Sequence, residues 1–148
     1  MTQAFLDANV AIYVAGRAHP LKEPCGKVVA LVADQADAFV TDAKVLQELL
    51  HRYVGLRMWP DPGLAVFERF SKLMRRRVEP IQAVDVERAA ALATQHPRLS
   101  ARDLVHVAVM QRLGVTRVVS ADRGFDQVAD IQRLDPADVA SWRESVVA

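Results

Sequence analysis

The chemistry available to this 148-residue chain is concentrated in a few carboxylates whose places along the sequence are not random. Asp7 ends the apolar run Phe5-Leu6, Asp42 follows Phe39-Val40-Thr41, and Asp122 comes shortly after Val118-Val119. Asp103 enters from the first turn of a strongly apolar stretch, residues 104–110, interrupted only by His106. If the apolar runs are parallel strands, the residues just past their C-termini line a shared crevice, the place where ligands bind in open α/β sheets. Carboxylates gathered there repel one another unless a cation neutralises them. An all-oxygen donor set of this kind is the preference of Mg2+ or Mn2+, usually completed by water and substrate phosphate.

Each acid also has a plain structural use. Asp103 stands three residues after Ser100, the spacing of a capping box, and a first-turn acid suits the helix dipole. Asp42 is most simply the N-cap of the next helix. Glu48 precedes Arg52 by four, an ordinary helix pair; it lies at the margin of its helix's apolar face, and the pattern alone favours that salt bridge. Asp122 serves as a turn residue and Asp126 as a surface acid. Asp7 is the hardest to assign to structure, because a charged group ends an apolar strand at the centre of the domain. Asn9 suits a helix cap. The four histidines, at 19, 51, 96 and 106, show no zinc-like spacing with each other or with Cys25. His106, inside an apolar helix, reads as a satisfied core or interface residue rather than a ligand. No glycine falls in a phosphate loop or dinucleotide fingerprint, and no Gly-x-Ser-x-Gly elbow is present.

The elements that must position these groups are readable from periodicity. Strands are expected at 3–6, 38–40, 77–79, 116–120 and 131–134. Helices are expected at 10–15, 27–36, from the Thr41-Asp42 cap to about 58, through about 74, at 84–94 and at 100–113. Pro20 and Pro24 punctuate a loop, and Asp61-Pro62 reads as an N-cap with proline at the first helical position. Strands interleaved with helices predict an α/β sandwich with a short, mainly parallel central sheet flanked by helices. The length suits a single domain over residues 1–148.

Composition limits the rest. Lys and Arg number 19 against 18 Asp and Glu, so a whole-protein basic field is missing and a polyanion must be held by a local patch. One cysteine excludes an intramolecular disulfide and a cysteine-built zinc site. The N-terminus lacks the basic and apolar regions of a secretory signal, and no apolar run approaches a membrane span, so a soluble cytoplasmic chain is expected. Residues 52–77 carry seven Lys or Arg against two Asp or Glu, densest at Arg75, Arg76 and Arg77, a candidate surface for RNA phosphates. On the same stretch Val66, Phe67, Phe70, Leu73 and Met74 recur at helical spacing, as core packing would require.

Four segments together resemble a known family. FLDAN at 5–9, VLQELL at 45–50, ARDLVHVAVM at 101–110 and VVSADRGFD at 118–126 look like PIN-domain ribonucleases, most closely the VapC toxins of bacterial type II toxin–antitoxin modules. The resemblance spans essentially the whole chain. It places the family's catalytic acids on Asp7, Glu48, Asp103 and Asp122, with Asp7, Asp103 and Asp122 as metal ligands. Asn9 and Ser120 match small polar supporting positions, and Asp126 an additional acid. Gly124 stands where the family often has an acid before its Phe, which leaves Asp126's role open. For Glu48 the resemblance reverses the reading from pattern. It implies a PIN-like α/β/α sandwich and hydrolysis of structured RNA, in a tRNA or ribosomal RNA loop, assisted by Mg2+ or Mn2+. It implies a 5′-phosphate product, a cognate VapB-type antitoxin seated in a groove on the apolar stretch, and a homodimer. Two other readings compete. A haloacid-dehalogenase-like phosphatase also places an Asp at the end of an apolar strand, but it needs a second Asp where this chain has Asn9. A catalytically inactive PIN-fold binding module would have no reason to keep all four acids.

Overall fold

The computed structural model describes residues 3–147. Among the described residues, segments of two to four residues form five strands, β1 (Ala4–Leu6), β2 (Phe39–Asp42), β3 (Val78–Glu79), β4 (Arg117–Val119) and β5 (Gln132–Leu134). Their order across the sheet is β3-β2-β1-β4-β5, and every neighbouring pair is parallel. β1 and β2 are buried at every position, as parallel strands covered on both faces must be, which is why they read as continuous rather than alternating apolar runs. The expected mainly parallel sheet is wholly parallel among the described residues.

Among the described residues seven α-helices flank it: α1 (Ala8–Ala15), α2 (Lys22–Asp34), α3 (Ala43–Gly55), α4 (Gly63–Leu73), α5 (Ala83–Gln95), α6 (Ala101–Leu113) and α7 (Val139–Val147). α1 packs on α2, α3 on α4, α5 on α6, and α2 on α7. α6 is buried almost all round, the behaviour of an apolar helix in a core. It stops at Gly114, whose φ of 71° suits glycine and lets the Val115 N–H reach back to the Met110 carbonyl at 2.9 Å.

Three details differ from the spacing. Pro24 is not in a loop but is the third residue of α2, where a missing N–H costs nothing because the first-turn donors have no helical partner. Asp61 and Pro62 stay outside α4, which begins at Gly63. A Cβ at Gly63 would come within 2.5 Å of Tyr53 Cβ, so the glycine permits α4 to start against the end of α3. Last, α7 lies beyond the expected elements, although its buried Val139, Trp142 and Val146 have the spacing of one helical face. The Trp142 indole N–H donates to the Asp135 carbonyl at 2.8 Å.

The topology decides where a site forms. From β1 the chain steps outward to β2 and β3, then returns through α5 and α6 to lay β4 on β1's other side. Strand order reverses between β1 and β4, and the crevice at their C-terminal ends is the topological switch point.

Candidate active site

Asp7 follows β1 directly, and its backbone N–H extends the ladder to the Val119 carbonyl at 3.1 Å. The residue is 4% exposed and its side chain is doubly used. Oδ1 accepts the Ala8 N–H at 2.8 Å, capping α1. Oδ2 accepts the Ser120 hydroxyl at 2.7 Å and the Asn9 amide at 3.2 Å. The Ser120 oxygen in turn accepts from Asn9 Nδ2 at 2.9 Å and from the Asp122 N–H at 3.0 Å. One hydroxyl thus uses its one proton and both lone pairs to join the ends of β1 and β4. Asn9 adds a second tie, accepting the Ala121 N–H at 3.2 Å.

Asp103 comes from the first turn of α6. Its backbone N–H donates to Ser100 Oγ at 3.2 Å, so the expected cap is present, while its carboxyl lines the cleft with Asp7, Glu48 and Asp122. Asp122 Oδ1 accepts the Gly124 N–H at 2.8 Å. A Cβ at position 124 would lie 3.1 Å from that oxygen and 3.8 Å from Asp103 Oδ2, so the glycine leaves room where the two carboxyls meet.

Crowding shows in their acidity. Burial, a hydrogen bond with Asp122 and the charge of Asp7 push Asp103 up to about 7, with His106 pulling the other way. Burial also raises Asp7, against the opposing charge of His106. Two carboxyls that resist ionisation side by side would be relieved by a cation.

Glu48, on α3, does not pair with Arg52. Its Oε1 lies 2.7 Å from Nε2 of His106, whose Nδ1 lies 2.8 Å from Asp42 Oδ2. Burial alone would push this imidazole down, but hydrogen bonds to the two carboxylates outweigh it and hold it up to about 10. One oxygen each from Asp7 and Glu48 and one nitrogen of His106 lie within 4.8 Å of one another. Asp42 is the α3 N-cap, accepting the Val45 N–H at 2.9 Å, and also the partner of His106. The reading of His106 as a satisfied buried residue fits its bonding but omits its nearness to the acids.

The cleft, about 720 Å³, is rimmed by Lys44, His51, Arg52 and Arg102. Sequence reasoning saw Arg52 only as a helix partner and as part of the basic stretch, and passed over Lys44 and Arg102; their signal was helical phase, since 44, 48 and 52 fall on one side of α3 and Arg102 adjoins Asp103. The structure does not bring Arg75, Arg76 and Arg77 to the cleft. Arg77 donates to the carbonyls of Phe39 and Asp37, both 2.9 Å, at the N-terminal end of β2. Arg76 and Arg77 adjoin Leu113 and Gly114, at the far end of α6 from Asp103, about 15 Å away along ten helical residues. Asp126 also lies outside the cleft lining. Arg133 grips its carboxylate at 3.0 and 3.3 Å and donates to the Ser120 carbonyl at 3.1 Å, bracing the turn from behind.

Residues 4–131 match the PIN domain family. The chain belongs to the PIN-domain family, in its VapC ribonuclease branch. It is 37% identical over 131 residues to ribonuclease VapC13 of Mycobacterium tuberculosis, covering 87% of this chain and 97% of that protein. It is 38% identical over 120 residues to ribonuclease VapC23 of the same species, covering 80% and 91%. Among solved structures, DNA-bound VapBC from Salmonella typhimurium aligns with a TM-score of 0.68 at 19% identity, covering 92% of this chain and 99% of that one. VapC20 of M. tuberculosis, a sarcin–ricin loop cleaving toxin, aligns with a TM-score of 0.65 at 20% identity, covering 86% and 95%. These two likenesses establish the PIN fold. Membership makes the chain a ribonuclease by class and displaces the phosphatase reading, whose second acid is here the amide of Asn9 tying Asp7 to Ser120. Among the described residues no helix is long and apolar enough to cross a membrane.

Proposed function

We propose that this chain is the toxin of a VapBC-type toxin–antitoxin pair, a cytoplasmic endoribonuclease that uses Mg2+ or Mn2+ to cut a structured RNA in an exposed loop, with residues 1–148 forming one PIN domain. One observation carries the reading: Asp7, Asp103 and Asp122 converge at the switch point, and no Lys or Arg forms an ion pair with them among the described residues. Their oxygen-only donor set, with an Asp103 proton that a cation would displace, fits a hard divalent ion. When bound, such an ion supplies Lewis-acid activation and charge stabilisation for phosphodiester hydrolysis. The chain's own groups do the positioning. Ser120 and Asn9 fix the Asp7 carboxylate, Gly124 fixes that of Asp122, and Glu48 stands across the cleft as a further metal ligand or to orient an attacking water. Lys44, Arg52 and Arg102 on the rim suit the phosphates flanking the scissile bond, and a splayed loop is the RNA form that reaches such a cleft.

The partner in this reading is a VapB-type antitoxin. A groove of about 470 Å³ between α1, α2 and α4, lined by Ala11, Val14, Val29, Val66, Phe70 and Leu73, offers an apolar seat for an amphipathic helix. Val66 and Phe70 are also largely buried, so the α4 stripe serves core and groove together. The exposed Leu50, Val54 and Leu56 supply an apolar face for a second copy of the chain.

Incubation of the purified chain with cellular RNA tests this. Cleavage is expected with Mg2+ or Mn2+, is lost with EDTA, and falls at least about a thousandfold in Asp7→Asn and Asp103→Asn, as for loss of a group acting as part of a catalytic unit. Undiminished cleavage in both variants would overturn the assignment, and an inert wild-type chain would favour the binding-module reading. Mapping new 5′-phosphate ends identifies the RNA.

A further inference from the structure

The geometry points to Asp42 and His106 as positioning residues for Glu48, joined in a buried Asp42–His106–Glu48 chain of hydrogen bonds that holds the Glu48 carboxylate across the cleft from Asp7. This rests on the metal-dependent reading of the cleft, and it assigns work to two groups outside the four acids.

His106 is fully buried, and a buried imidazole needs partners at both nitrogens. A core with no other demand at this site would be filled more simply by Leu, because buried polar groups contribute little net stability even when satisfied. Both partners here are carboxylates of α3, one at its cap and one six residues on. Asp42 and the ring cannot shift independently. Asp42 uses its other oxygen to cap α3 through the Val45 N–H, and the Phe5 ring lies 5.2 Å from the imidazole. The ring is therefore set by β1 and by the start of α3, and it reaches Glu48 from a fixed point. A helix-surface Glu has several rotamers and an Arg four residues on with which to pair. The bond from His106 selects one rotamer, facing Asp7, over the outward pair with Arg52. Only one Glu48 oxygen is used; the other has no hydrogen-bond partner among the described residues. Groups that orient a metal site's ligands in this way matter to it nearly as much as the ligands.

Two amides separate the roles. In His106→Gln the amide nitrogen reaches about as far as Nε2, preserving a donor to Glu48. In His106→Asn the amide ends near Nδ1, preserving the contact with Asp42 and losing Glu48. Mn2+ affinity measured calorimetrically without RNA, the thermal midpoint, and kcat and KM on a loop RNA are compared for both. The Asn variant is expected to bind Mn2+ about 10- to 100-fold more weakly, the range for loss of such a partner, with kcat falling and KM little changed. The Gln variant is expected to recover most of that loss at a similar thermal midpoint. A purely structural role would lower the midpoint in both and leave Mn2+ affinity alike. Asp42→Ser keeps a good helix cap but is too short to reach His106; it is expected to weaken Mn2+ binding severalfold, and it decides the matter if the His106 variants do not fold. Equal losses in Asn and Gln, or unchanged Mn2+ affinity in the Asn and Ser variants, overturn the inference while leaving the cleft reading intact. A wild-type chain that binds no Mn2+, or an Asp103→Asn variant that binds it normally, overturns the metal reading and this inference with it.

Discussion

Asp85 and Asp103 occupy the same position, the third residue of a helix, on α5 and α6, which pack together. Both are buried, at 2% and 5% exposure. Asp85 is fully provided for. It accepts the Gln82 N–H at 2.8 Å, closing a capping box, and two donors of Arg112 at 2.9 and 3.1 Å. Burial would raise it, but these bonds win and hold it below the usual carboxylate range. Asp103 meets Asp122 and Asp7 instead and is pushed up to about 7. Arg112 belongs to the same helix as Asp103, yet it serves Asp85 from α6's other end. A buried acid with its own arginine fastens two helices. A buried acid facing other acids is destabilising to the fold alone, and such a cost persists where it serves chemistry.

The contrast can be broken from either side. Arg112→Ala strands the Asp85 charge and is expected to cost about 3 kcal/mol in denaturant unfolding, as for breaking a buried pair, while cleavage per folded molecule stays unchanged. A loss under about 1 kcal/mol would mean that Asp85 tolerates solvent and that the two sites differ less than their burial suggests. The second effect is a pH dependence of opposite sign at Asp103. The folded state keeps that proton to about pH 7, whereas the unfolded carboxyl releases it near 3.8. Between those values the folded state binds more protons, so stability falls as pH rises through the window and levels off above it. In EDTA the Asp103→Asn variant should lose roughly 2–3 kcal/mol less than wild type between pH 4 and 7. Identical pH slopes in the two proteins would remove the argument. The smallest effect is expected from Gly124→Ala, whose Cβ would press to 3.1 Å on Asp122 Oδ1. Mn2+ affinity should fall about three- to tenfold with little change in thermal midpoint, on the scale of other disturbances around a metal ligand; an unchanged affinity would show that the carboxyls have slack.

The residues differ in how far the sequence exposes their use. Asp7 and Asp122 are the more legible because they follow apolar strands closely, and parallel strand ends must share an edge. Asp42 is half legible: its capping spacing is visible and correct, but nothing local reveals that its second oxygen reaches His106, sixty-four positions away. His106 lies one turn after Asp103, so the two share a helix face; that phase was the available signal, masked by the apolar residues around it. Arg75, Arg76 and Arg77 are the converse case, conspicuous in the sequence but away from the cleft lining. Charge density shows in a sequence, but which end of a sheet it lands on is set by tertiary topology, and there Arg77 finds backbone carbonyls of β2.

The tie between Asp7 and Ser120 joins residues 113 apart. The cleft is therefore among the last things the chain can build: β4 must dock beside β1 before the carboxylates share a mouth. Contacts of such long sequence separation form slowly and late. During synthesis, a nascent chain whose 117–122 segment is still inside the ribosomal tunnel carries Asp7, Glu48 and Asp103 without Asp122 or the Ser120 bridge. A chain made this way has no assembled cleft until that segment is free to dock beside β1.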